Sequence, residues 1–177
     1  AAATYWLCFA GVVLSAAGRV YAADRASGLA DRYVGDAGIA DDPNVVFVED
    51  FEAGSLELVT ARWESVQNAE ILSLSADVPD ASGGTRSLLM THVGGRSTGG
   101  HLYRRLLPGY EELFVRFYVK FDPECFPIDH FVHLGGYRPP TPWPQGGAGI
   151  RFGASPNNQP TAHPDNWKHP PPQSPIA

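Results

Sequence analysis

Between residues 113 and 121 the side chains alternate: Leu113, Val115, Phe117, Val119 and Phe121 occupy one parity, and Arg116, Tyr118 and Lys120 the other. Successive side chains of an extended chain point to opposite faces, so this pattern demands a strand with one dry face and one wet face. No stretch of comparable strength carries the 3.6-residue period of a helix, although 28–36 has room for a short one. Further strand candidates are 45–52, 57–66 around Trp63, 71–75, 87–92, 101–107 and 130–134, all rich in β-branched, aromatic or alternating residues. Turn-forming runs at 79–84, 94–100, 108–109 and 122–124 separate them. About seven short strands punctuated in this way predict an all-β fold, a sandwich or jelly roll. A length of 177 residues suits one such domain.

The two ends read differently. Residues 6–14 form an apolar run of signal-peptide length, and Val20-Tyr21-Ala22 offers the small residues that a signal peptidase reads. The expectation is a leader over 1–22, export to the periplasm or medium, and no membrane span once the leader is removed. The run falls short of the ~20 apolar residues that a spanning helix needs. Cys8 would leave with the leader, so Cys125 would stand alone without a disulfide partner. Residues 23–44 read as a linker and N-terminal segment, and 45–152 as the β-sandwich. Eleven of the sixteen prolines crowd into 139–177, so 153–177 is expected to be a disordered, proline-rich tail. The single methionine is Met90, which predicts that the chain starts inside a longer reading frame.

Charge is distributed unevenly. Residues 24–90 hold thirteen acids and four bases, whereas 91–177 hold six acids, eight bases and all six histidines. A nucleic-acid binder normally shows a clustered basic face and a high pI, so a net charge of −6 and a pI of about 5.4 argue against nucleic acid as a partner. The second half is still able to line a locally positive cleft for an anionic ligand, because local potential and net charge are separate quantities.

Four segments, taken in order, carry a resemblance: 49–52 (Glu-Asp-Phe-Glu), 99–105 (Gly-Gly-His-Leu-Tyr-Arg-Arg), 114–121 (Phe-Val-Arg-Phe-Tyr-Val-Lys-Phe) and 130–137 (His-Phe-Val-His-Leu-Gly-Gly-Tyr). Together they resemble a group of exported bacterial proteins similar to polysaccharide lyases of family fourteen. The resemblance covers roughly 28–150 and implies a concanavalin-like jelly roll acting on an anionic, uronate-containing polysaccharide. In that family a strand carries Lys-Leu-Pro-Gly-Leu with its lysine in the active cleft. Here 133–137 looks like the counterpart, with His133 in place of lysine. The family's later Ser-x-Arg and Tyr-x-Tyr strands have no clear match beyond Ile150, apart from Arg151 for the arginine. The resemblance therefore implies the N-terminal part of such a protein, inactive by itself.

β-Elimination on a uronate needs charge neutralisation at the carboxylate, a base for the C5 proton and an acid for the leaving oxygen. Arginine suits the first task through its bidentate fork, and a tuned Tyr, His or Lys suits the others. The candidate catalytic residues are His133, Arg116, Tyr118 and Lys120; the candidate substrate contacts are Tyr103, Arg105, Tyr137 and Arg151. Tyr103 and Arg105 share one face of the 101–107 strand, and Arg104 points the other way. His130 and His133, three apart, fall on opposite faces of a strand, so no metal pair is expected there. No cofactor is required. Residues 49–52 either cap the first strand or contribute oxygens to a structural calcium. Two other readings stand beside the lyase: a non-catalytic carbohydrate-binding module, and a concanavalin-like glycoside hydrolase, which lacks here its usual Glu-x-Asp-x-x-Glu pattern. Oligomeric state is not readable.

Overall fold

The computed structural model describes residues 2–10, 28–96, 99–126, 128, 130–135, 139–144, 150–154 and 160–164. Strands dominate. In chain order they are β1 (Ala2–Ala10), β2 (Ser65–Gln67), β3 (Leu72–Ser75), β4 (Ser87–Val93), β5 (His101–Tyr103), β6 (Arg116–Phe121), β7 (Val132–Leu134), β8 (Ile150–Ala154) and β9 (Pro160–Pro164). Helices α1 (Leu29–Arg32) and α2 (Leu56–Thr60) are each about one turn long. The strands form three small sheets, ordered β3-β4-β1-β6, β2-β5 and β7-β8-β9, and every pairing is antiparallel.

One core joins them. Phe51, Val59, Leu72, Leu88, Met90, Cys125 and Val132 are buried together, and half-buried side chains from all three sheets pack on them. The alternation in β6 resolves as expected. Phe117, Val119 and Phe121 turn to this core, and Phe117 meets Phe131 and Phe152 edge-on at centroid distances of 5.8 and 5.3 Å. T-shaped pairs of this kind set ring edge against ring face, which suits the aromatic quadrupole. A satellite cluster, Leu29 and Ile39 with Tyr33, Val45 and Val48, anchors the N-terminal turns.

Several sequence expectations change. Residues 45–52 form no strand beyond an isolated bridge at Glu49, because Phe51 takes a left-handed φ of 62° that drops its ring into the core. The stretch 57–66 splits into α2 and β2. Ser55 caps α2 by accepting the N–H of Leu58 at 3.3 Å, and the three-residue spacing of Leu56 and Val59 turns both to the core. Strand β5 stops at Tyr103, where Arg104 leaves to lie over Phe47 and to donate to the Arg62 carbonyl. The 113–121 strand begins only at Arg116.

Both termini carry pairing that the sequence did not lead us to expect. The apolar run read as a leader is seated as β1 between β4 and β6, with Leu7 opposite Leu88 on one side and Val119 on the other. Residues 160–164, assigned to a disordered tail, form β9 against β8. Among the described residues no helix is long and apolar enough to cross a membrane.

Candidate functional site

The outer face of β6 holds three of the four proposed catalytic groups, and each has a protein neighbour. Arg116 forms an ion pair with Asp36 and lies over the Tyr118 ring at 5.7 Å. Lys120 donates to Asp77 at 2.5 Å. Tyr118 borders a shallow cavity of about 210 Å³ whose walls include Asp36, Asp50, Glu52 and Arg86. Because the opposite face of β6 packs on Phe131 and Phe152, Arg116, Tyr118 and Lys120 point away from β7. The structure does not bring them to His133.

The Glu-Asp-Phe-Glu segment is engaged internally. Glu49 is fully buried and accepts from the Phe51 N–H (3.1 Å), Arg62 Nη1 (2.9 Å) and Trp63 Nε1 (3.1 Å). Burial still pushes its carboxyl above the usual range, against the opposing pull of these donors. Glu52 accepts from the N–H groups of Thr85 (2.5 Å) and Arg86 (2.8 Å) and from the Thr85 hydroxyl (2.7 Å). These carboxylates thus hold loops together. Among the described residues no group of three or more His, Cys, Asp or Glu side chains is arranged to hold a metal ion.

A different group of residues converges on the outward faces of β5 and β7. In β5, Leu102 points to the core, which turns His101 and Tyr103 outward. Gly100, just before β5, lets the strand start close to β3, since a Cβ there would collide with Leu72 Cδ2. In β7, Val132 is buried and His133 takes the other face; the following Gly135 has a φ of 119° that a larger residue rarely adopts. The 139–144 loop lays Trp143 across β5, with its ring 4.1 Å from the His101 ring at 74° and 5.7 Å from the Tyr103 ring. The Tyr103 hydroxyl donates to the Thr141 carbonyl at 2.6 Å and so ties the loop to the strand.

The electrostatics of this cluster are distinctive. Burial holds His101 below the ordinary imidazole range, and the neighbouring His133 and His130 push it in the same direction. Burial likewise raises the Tyr103 phenol, with Glu64 adding to the shift and Arg105 opposing it. Arg105, expected on the Tyr103 face, lies beyond the end of β5 and pairs with Glu64 at 2.7 Å. Arg151 is the register partner of His133 in β8. Tyr137 lies outside the described residues.

His130 and His133 were expected on opposite strand faces. Because β7 begins at Val132, His130 precedes it, and both imidazoles act on His101. Sequence reasoning missed His101 and Trp143. The parity shared by His101 and Tyr103 was the available signal for the first. Trp143, isolated in a proline-rich loop, had no pattern to mark it. No protein-family model matches the chain, and comparisons with curated proteins and with solved structures return no match.

Proposed function

We propose that this is an exported β-sandwich protein of polysaccharide-lyase type that engages an anionic, uronate-containing polysaccharide on the face formed by His101, Tyr103, His133 and Trp143. The observation that carries the reading is the half-buried Trp143 ring set against His101 and near Tyr103, with His133 acting on His101 through charge. An apolar ring flank suits the C–H face of a sugar, and adjoining imidazoles suit its carboxylate. For elimination, a neutral imidazole takes the C5 proton as the C4–O bond breaks and C4=C5 forms. A second protonated group, a neighbouring imidazole or the phenol, supplies the proton to the leaving oxygen.

The second reading is a carbohydrate-binding module without catalysis. What favours it is the Tyr103 hydroxyl, already committed to the Thr141 carbonyl. Both readings predict tighter binding of the full chain to polygalacturonate than to a neutral glucan. Only the lyase reading predicts an unsaturated product absorbing in the ultraviolet, and it predicts one only where the Ser-x-Arg and Tyr-x-Tyr strands of the resembling family are supplied, the product then being lost in His133→Ala. Equal or stronger binding of the neutral glucan would overturn both readings.

A further inference from the structure

Strand β1 fills a slot that the rest of its sheet frames on both sides. Its register runs from Ala2 opposite Val93 to Leu7 opposite Leu88 along β4, and from Tyr5 opposite Phe121 to Ala10 opposite Arg116 along β6. Both pairings are antiparallel, so β4 and β6 run parallel to one another with β1 between them. With adjacent strands ~4.8 Å apart, these walls stand about 9–10 Å from each other, too far for direct backbone hydrogen bonds. The two registers overlap only at positions 5, 6 and 7; positions 2–4 have β4 alone beside them, and 8–10 have β6 alone. Tyr5 stands opposite Met90 and Phe121, and Leu7 opposite Leu88 and Val119, all four of them residues of the main core. Residues directly opposite in an antiparallel pair share a face, so positions 5 and 7 belong to the core face and position 6, opposite Leu89 and Lys120, to the other.

We propose that the slot between β4 and β6 is a strand-addition site which, once the leader is removed, takes an extended segment of a second polypeptide, antiparallel to both walls and carrying large apolar residues at two alternate positions at its centre. The removal of residues 1–22 rests on the export reading above; the pairing rule rests on the sheet alone. Without β1, β6 keeps no strand partner among the described residues and β4 keeps only β3. Two rows of backbone N–H and C=O groups then lack partners, and Leu88, Met90, Val119 and Phe121 lose the strand that lies opposite them. An incoming strand remedies both at once, its backbone supplying affinity and its alternate side chains specificity. The nine residues of β1 show the length and direction that the slot accepts. A slip of one residue turns the apolar pair to the wrong face, and a charge at either central position is buried without a partner.

The test starts from the full, folded chain with a specific protease site inserted after Ala22. It is cut there and mixed with an excess of fluorescently labelled peptide of residues 1–10. The expected result is uptake of one peptide per cut chain, read by fluorescence anisotropy, and none by the uncut chain, whose slot is filled. A Leu7→Asp peptide should bind at least about a hundredfold more weakly, whereas a Cys8→Ser peptide should bind like the original, since position 8 lies opposite Tyr118 on the other face. A cut chain that unfolds and recovers a cooperative melt with the original peptide, but not with the Leu7→Asp peptide, would support the same conclusion. Absence of uptake by the cut chain, equal uptake of the Leu7→Asp peptide, or pairing of cut chains with one another in place of the peptide would overturn the site. Secreted protein that retains residues 1–10 in mass spectrometry would instead overturn the export reading, and with it the second polypeptide as occupant, while peptide uptake by the cut chain still upheld the pairing rule.

Discussion

At the scale of single residues, Glu49 and His101 are both ionisable groups that folding removes from water, with different compensation. Glu49 has three donors around it, two of them from Arg62 and Trp63. Replacing it by alanine leaves the Arg62 charge and the Trp63 N–H without their acceptor, and the expected loss is about 2–4 kcal/mol in urea denaturation. Burial, together with its imidazole neighbours, lowers the pKa of His101. A base whose pKa is depressed by folding binds protons more readily in the unfolded chain, so the stability it favours is present above the unfolded value of 6.5 and declines as pH falls below it. The ligand-free protein should therefore lose thermal stability between neutral and mildly acidic pH, and His101→Gln should flatten that slope. Trp143→Ala should weaken polyuronate binding by roughly tenfold while scarcely moving the melting temperature, since the ring covers the face of β5 rather than filling the core.

Among the elements, β6 separates packing from charge most cleanly. Phe117 lies between two aromatic rings of the β7–β8 side, whereas Tyr118 faces the shallow cavity near Asp36. Phe117→Ala should cost about 3–5 kcal/mol and Tyr118→Ala well under half of that, measured by chemical denaturation. Equal losses would show that the faces are assigned wrongly. The 82–86 turn depends on Glu52 in a comparable way, through a side chain from a distant segment. Burial raises that carboxyl, but the Thr85 hydroxyl and the N–H groups of Thr85 and Arg86 outweigh it, so its net pKa is lowered. Its stabilisation is present above the unfolded value of 4.5 and is lost as pH falls through the lower native value. Glu52→Gln should remove that acid-sensitive portion and speed amide exchange at Thr85 and Arg86.

For the molecule as a whole, the position of β1 has the largest consequence. A strand between two others satisfies backbone groups on both of its sides, and its loss opens the facing edges of β4 and β6 at once. Deleting residues 1–10 should therefore turn a cooperative melt, followed by circular dichroism, into a broad one and expose surface that binds a hydrophobic dye. Unchanged cooperativity would show that the sheet stands without β1. Export with cleavage after Ala22 makes the contrasting prediction that secreted protein begins at Ala23, which mass spectrometry reads directly.

The strand at 116–121 was legible in the sequence because a period of two is a local property, and the faces of Phe117 and Tyr118 followed from it. Strands β3, β4 and β7 were likewise close to their expected places, since short β-branched runs between turn residues leave few alternatives. What local pattern did not decide was conformation set by distant partners. Residues 57–60 became helical because Ser55 caps them and Val59 reaches the core, and Phe51 was driven out of a strand by burial of its own ring. The candidate site divides along the same line. His133 and Tyr103 were chosen from sequence, but their meeting with His101 and Trp143 depends on a loop some forty residues after β5 folding back over it. Arg116, Tyr118 and Lys120 shared a face as read, yet the partner across from each came from a remote segment, and only tertiary packing turned that face away from His133. Periodicity reports which side of an element is dry, because that depends on neighbours two residues away; which elements meet across space depends on the whole core closing.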